Sequence, residues 1–133
     1  MKYVCLIYDD EKLWETMTPA EGGAMMGEYF AFTKSIREGG QYVAGEALQP
    51  IATATTLRVR GGKLQTTDGP FAETREQLGG FYLIDAANLD EAIAIAARIP
   101  SVRTGSIEVR PVMIYPEHET TAVPAKAAEP AHV

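Results

Sequence analysis

Scarcity is the first informative property of this 133-residue chain, which holds one cysteine, two histidines and one tryptophan. A single thiol forms no intrachain disulfide and supplies no CxxC pair for metal or redox chemistry. In its apolar setting Cys5 reads as a buried structural thiol. The histidines, His118 and His132, fall in or beside a weakly patterned C-terminal stretch. Residues 1–116 therefore offer no Ser-His-Asp triad, no Cys-His pair and no HExxH zinc helix. His118, between Glu117 and Glu119, reads as solvated tail rather than as a metal site. No GxGxxG follows a strand and no GxxxxGK[ST] occurs, so dinucleotide and P-loop sites lack a motif. Positive charge is in deficit, with twelve Lys and Arg against eighteen Asp and Glu for a net charge of -6. Such a chain lacks the broad positive field that attracts nucleic acid or anionic lipid. No uninterrupted apolar run approaches a membrane span, and the opening MKYVCLIYDD is too short and too soon acidic for a secretory signal. The expectation is a cytoplasmic protein with no membrane partner and no direct nucleic-acid partner.

What is present suffices for one hydrophobic core, since 46% of the residues are hydrophobic. Residues 117–133 contain five Ala and two Pro and almost no large apolar side chain. They are expected to form a flexible tail behind a single domain over 1–116. Tyr3 to Tyr8 reads as a central strand that Asp9-Asp10-Glu11 ends in a solvent-facing loop. Thr18-Pro19-Ala20-Glu21 is a helix start, with a capping oxygen, a proline where no N–H is needed and a Glu to close the capping box. Met25, Met26, Tyr29, Phe30, Thr33 and Ile36 then recur at helical spacing until Gly39-Gly40 offers a stop. Short strands follow over 42–47, 53–60 and 63–67, the last two joined by the turn pair Gly61-Gly62. Asp68-Gly69-Pro70-Phe71 breaks the second of these and begins a loop through Gln77. Leu78 to Asp85 is a strong strand, Asn88 caps a helix that ends before Pro100, and Ile107 to Tyr115 is a last strand with Pro111 at an edge or bulge. The order predicts an α+β fold: a ferredoxin-like sandwich with an antiparallel sheet and an additional β-hairpin.

Chemistry must then come from carboxylates and arginines, chiefly Asp9, Asp10, Glu46, Asp68, Glu73, Arg75, Glu76, Glu108 and Arg110. Asp68 stands before a rigid Gly-Pro turn that either holds its carboxylate at a pocket entrance for proton transfer or uses it to satisfy turn N–H groups. Glu73, Arg75, Glu108 and Arg110 read as a salt-bridge network, or one arginine binds a substrate carboxylate or enolate oxygen. Tyr3, Tyr8, Tyr29, Tyr42 and Tyr82 fill the core while their hydroxyls reach polar partners or a cavity wall. Trp14, ahead of the capped helix, is either a lid or an interface ring.

The Asp68-Gly69-Pro70-Phe71 signature resembles the DGPF-containing branch of the YCII-related family. Further matching landmarks are the opening MKYVCLIYDD, AGEALQP from Ala44 to Pro50, TDGPFAETREQLGGFYLID from Thr67 to Asp85, DEAIAIAARIP and IEVRPV from Ile107 to Val112. The resemblance implies a ferredoxin-like dimeric α+β barrel in which two subunits enclose a cleft. Small members carry an Asp-His pair proposed as an active site, and a related member is a dehydrochlorinase acting on a hydroxylated aromatic ring; the histidine is missing here. The implied function is a homodimer performing cofactor-independent proton transfer or elimination on a small hydroxylated or carboxylated compound. In that reading Asp68 shuttles the proton, Arg75 or Arg110 stabilises developing negative charge, Tyr8, Phe30 and Phe71 shape an apolar wall, Glu46 faces the cleft, and no metal or cofactor takes part. The alternative is a nonenzymatic ligand-binding or protein-interaction module, because the branch occurs beside or fused to extracytoplasmic-function sigma factors and association with one is implied.

Overall fold

Along β1 (Lys2–Asp9) the side chains alternate: Tyr3, Cys5, Ile7 and Asp9 are buried, whereas Val4, Leu6 and Tyr8 are only partly so. A two-residue period gives each set its own face. The buried face meets Phe32 and Ile36 from one helix and Ala92, Ile95, Ala96 and Ile99 from the region of another, with Tyr82 and Ile84 beside them in the sheet. Each fully buried isoleucine, such as Ile36 or Ile84, contributes about 1.5–3 kcal/mol over its exposed state. Cys5 lies in this layer, and burial pushes its thiol pKa up to about 11, as suits a packing residue.

The computed structural model describes residues 1–116, and the tail expected over 117–133 lies outside the described residues. After β1 come α1 (Glu11–Thr16), α2 (Pro19–Glu38), β2 (Tyr42–Ala47), β3 (Thr55–Arg60), β4 (Lys63–Asp68), β5 (Gln77–Asp85), α3 (Leu89–Ala96) and β6 (Ser106–Pro111). The main sheet has the order β2-β5-β1-β6, with every neighbouring pair antiparallel. Helix α2 links β1 to β2, and α3 links β5 to β6. This is the βαββαβ arrangement of the ferredoxin-like fold, with the β3–β4 hairpin inserted between its second and third sheet strands. The hairpin forms a separate two-stranded sheet. Its turn residues Gly61 and Gly62 have φ of 58° and 77°, the left-handed pair that a tight hairpin turn demands.

Helix α2 starts as its sequence predicts. The Glu21 amide donates to Thr18 Oγ1 at 3.1 Å and the Thr18 amide to Glu21 Oε1 at 2.9 Å. Its buried arc is narrower than the apolar periodicity implies: Met25, Phe32 and Ile36 are buried, whereas Met26 and Phe30 are 44% and 66% exposed. Two other expectations are corrected. The loop after β1 contains α1, capped by Asp10, whose Oδ1 accepts from the Lys12 amide at 3.0 Å; six residues are too few to reveal a helical period. A 3-10 turn, Pro100–Arg103, follows α3. The last strand ends at Pro111, and Met113, Ile114 and Tyr115 beyond it are exposed.

Candidate functional site: a cleft between helix α2 and the sheet

The side chains of α2 that escape burial line a cleft of about 1050 Å³ between that helix, α1 and the β2–β5–β1 part of the sheet. Ile7, Asp9, Tyr82 and Ser101 supply its most buried lining side chains and form the floor. Met26, Tyr29, Phe30, Thr33 and Arg37 form the α2 wall, and Trp14, Glu46 and Gln77 border the opposite side. The lining is mostly apolar with a few converging polar groups, the usual composition of a small-molecule site.

Asp9 ends the alternation that buries Tyr3, Cys5 and Ile7, so its carboxylate is drawn into the same layer and is only 6% exposed. Thr104 Oγ1 donates to its Oδ1 at 2.9 Å, and Trp14 Nε1 lies 3.4 Å from its Oδ2. Neither donor is charged, and among the described residues no Lys or Arg forms an ion pair with it. Backbone packing fixes its position: a Cβ on Gly105 would collide with the Tyr8 carbonyl oxygen and sit 2.6 Å from Asp9 Oδ1. A bulge adds a neighbour. Ile7 pairs with Gly80 but Tyr8 with Leu78, so Gly79 is the extra residue and Gln77 comes into register with Asp9. Gln77 Oε1 then accepts from the Glu11 amide at 2.9 Å, tying α1 to the sheet.

Two hydroxyl pairs cross from α2 to the floor. Tyr29 and Ser101 oxygens are 2.5 Å apart, and those of Thr33 and Tyr82 are 2.6 Å apart. Burial pushes the Tyr29 phenol above its ordinary pKa, its hydrogen bond with Ser101 opposes this, and the charge of Asp9 adds to the rise. Tyr82 is also raised, first by burial, with the Thr33 hydrogen bond opposing. Tyr82 stands edge-on to Phe32, centroids 5.1 Å apart, and to Tyr42 at 6.4 Å, while the Arg37 guanidinium lies 4.1 Å over the Tyr42 ring.

Of the residues given a site role from sequence, the structure brings Phe30 and Glu46 to this cleft, together with Asp9 from the wider carboxylate set and Tyr29, Tyr42 and Tyr82 from the tyrosines. Asp68 is placed elsewhere. It pairs with Thr55 at the base of the hairpin and is exposed. The following backbone closes that base: the Gly69 amide donates to Ala54 O at 2.7 Å, and Thr56 Oγ1 donates to Gly69 O at 2.8 Å. The motif is thus a fastening for the hairpin, and Asp68 is not at the entrance of its own chain's cleft. Phe71, in the same loop, is 76% exposed. Tyr8 belongs to the other face of β1, because strand alternation gives the cleft to Ile7 and Asp9. Arg75 borders a polar surface pit with Asp10, Lys12 and Thr74. Arg110 is in register with Val4, outside the cleft, and its Nε is 3.0 Å from Glu108 Oε2. The anticipated network therefore reduces to one pair along β6, and among the described residues Glu73 and Arg75 form no ion pair.

Of the floor residues, Asp9 and Tyr82 stood among the carboxylates and tyrosines named from sequence without a role at the site, and Ser101 was passed over. The signal for Asp9 is its parity with the buried half of β1; the meeting of Tyr29 with Ser101, 72 residues apart, has no local signal. Among the described residues no group of three or more His, Cys, Asp or Glu side chains is placed to hold a metal ion. Among them no helix is long and apolar enough to cross a membrane.

The chain is thus a ferredoxin-like α+β fold with a mostly apolar cleft of small-molecule size, floored by a buried carboxylate. The family described as YCII-related domain matches residues 1–116, and the chain belongs to that family. An uncharacterized protein of Rhizobium meliloti (strain 1021) is 41% identical over 117 residues, covering 86% of this chain and 94% of that protein. Among solved structures, a 5-chloro-2-hydroxyhydroquinone dehydrochlorinase from Burkholderia phenoliruptrix AC1100, in complex with 2,5-dihydroxybenzoquinone, aligns with a TM-score of 0.45 at 12% identity, covering 86% of this chain and 96% of that one.

Proposed function

We propose that this YCII-related protein binds a small hydroxylated compound in the α2–sheet cleft and catalyses a cofactor-independent proton transfer on it, with Asp9 as the proton acceptor. The observation that carries this reading is the buried Asp9 carboxylate on the floor of an aromatic cleft, bonded among the described residues only by neutral donors. A base needs a fixed position and an open lone pair; Thr104 and the close approach of Gly105 provide the first, and the cleft provides the second. The Tyr29–Ser101 pair, which joins the α2 wall to the floor, keeps one hydroxyl proton beyond its mutual hydrogen bond to donate to a developing oxyanion. Ligand profiling of the purified chain followed by turnover assays on each hit tests the assignment. Asp9→Asn is expected to lower kcat by at least about 10²-fold while the fold is kept. Binding without conversion of any hit would instead favour a nonenzymatic ligand-binding module.

We further propose a homodimer. The β1 face opposite the helices offers Val4, Leu6 and Tyr8, in register with Leu83, Phe81 and Leu78 of β5. The hairpin offers Leu57, Val59 and Leu64, each more than 60% exposed. Isolated two-stranded hairpins are marginal in water, so a second copy supplies cover for both surfaces. Sedimentation equilibrium is expected to give twice the chain mass, and a monomer at all micromolar concentrations would refute this part.

A further inference from the structure

The ionisable residues around the cleft are unbalanced. Asp9, Glu11, Glu15, Glu38 and Glu46 border it, against Lys34 and Arg37. Some of this charge is engaged: Glu11 Oε2 accepts from the Ile51 amide at 2.9 Å, Lys34 Nζ lies 4.0 Å from Glu38, and Arg37 is stacked on Tyr42. Asp9, Glu15 and Glu46 have no cationic partner among the described residues. A carboxylate has about four lone-pair sites, and Asp9 uses two of them, one at the long distance of 3.4 Å. A buried anion without a counter-charge is costly, and the bound ligand is the natural source of that charge. The surroundings favour the same sign, because the faces of aromatic rings attract cations, and Trp14, Tyr29 and Phe30 all line the cleft.

We infer that the cleft takes a cationic ligand: a small aromatic or apolar amine whose ammonium group is the counter-ion of Asp9, with its apolar body against the α2 wall. This deepens the function proposed above and rests on the same cleft: the ammonium pairs with one oxygen of Asp9 and leaves a lone pair of the other to accept the proton, so what is added is the charge of the ligand. An acidic rim concentrates cations at the mouth and repels anions, so a carboxylated substrate is disfavoured at the Asp9 end.

Three probes with the same phenol ring and different head charges separate the cases: tyramine, 2-(4-hydroxyphenyl)ethanol and 4-hydroxyphenylacetate. Binding to the full chain is followed by the fluorescence of Trp14, its only tryptophan. The amine is expected to bind about tenfold tighter than the alcohol, and the alcohol tighter than the acid, with the amine's advantage shrinking as salt is raised. Asp9→Asn is expected to remove most of that advantage, and Glu46→Gln, at an exposed rim position whose loss should leave the fold intact, to reduce it about two- to threefold. Equal binding of the three probes, tightest binding of the acid, no amine binding at millimolar concentration, or an advantage unchanged in Asp9→Asn would overturn the inference. Asp9-dependent turnover of a neutral or anionic compound without amine preference would refute the cationic ligand alone. Amine preference with no turnover of any bound compound would support it while refuting the catalytic reading.

Discussion

Gly105→Ala puts one methyl group where the chain has no room for it. The added Cβ would meet the Tyr8 carbonyl oxygen, approach Asp9 Oδ1 at 2.6 Å and lie 3.0 Å from Asp9 Cα. Two of these neighbours are backbone atoms of the central strand, which cannot rotate away, so the turn before β6 must shift. Overpacking of this kind costs about 2–3 kcal/mol, which in a domain of this size lowers Tm by roughly 10 °C. Because the displaced residue is Asp9, ligand affinity should fall more than the lost stability explains when both are measured below the transition. Gly23→Ala in α2 is the internal control: a Cβ there meets nothing within 4 Å, and removing a helix-interior glycine should raise stability by about 0.5–1 kcal/mol. Urea denaturation of the two variants beside the parent measures both effects. A Gly105→Ala protein within about 0.5 kcal/mol of the parent, or changes of the same sign and size in both variants, would show that the space beside Tyr8 and Asp9 is not closed.

The Cys5 pKa is raised to about 11 from 9.0, so the unfolded thiol ionises first; stability should be constant in this respect below pH 9 and fall between about pH 9 and 11. Cys5→Ala should flatten that part of a denaturant-midpoint profile against pH, although Tyr29 and Tyr82, also raised, leave a residual slope. Ser101→Ala should push the Tyr29 phenol higher by removing a hydrogen bond that lowers it, whereas Asp9→Asn should bring it down by removing a repelling charge; ultraviolet phenolate titration distinguishes the two directions. Asp68→Asn should leave probe binding to the cleft within about twofold, and a loss matching that of Asp9→Asn would show that the hairpin base contributes to the site.

Local chemistry made much of the fold legible. The Thr18-Pro19-Ala20-Glu21 cap marked the start of α2, Gly61-Gly62 marked the hairpin, and the unbroken apolar run from Tyr3 to Tyr8 marked β1 as a central strand. Placing a helix between β1 and β2 and another between β5 and β6 was enough to infer the antiparallel ferredoxin-like sheet. The site was less legible because its parts meet only in the folded chain: Asp9 with Thr104, Tyr29 with Ser101, Thr33 with Tyr82. Asp68 drew attention because a carboxylate before Gly-Pro stands out in sequence, yet that prominence belongs to the turn that closes the hairpin. Asp9 looked like the first residue of a solvated loop because charge ordinarily signals exposure. Continuing the odd-numbered row from Tyr3 through Cys5 and Ile7 by one more step would have reversed that reading.

Among the described residues the hydrogen bonds of β3 and β4 stay between Ala54 and Phe71, so within one chain the hairpin can open without disturbing the four-stranded sheet. Its amides should therefore exchange with solvent on their own clock, far faster than those of β1. If a second copy covers Leu57, Val59 and Leu64, that clock slows as protein concentration rises while the clock of β1 keeps its pace. The hairpin then becomes a gauge of association, readable amide by amide in a protein carrying no label.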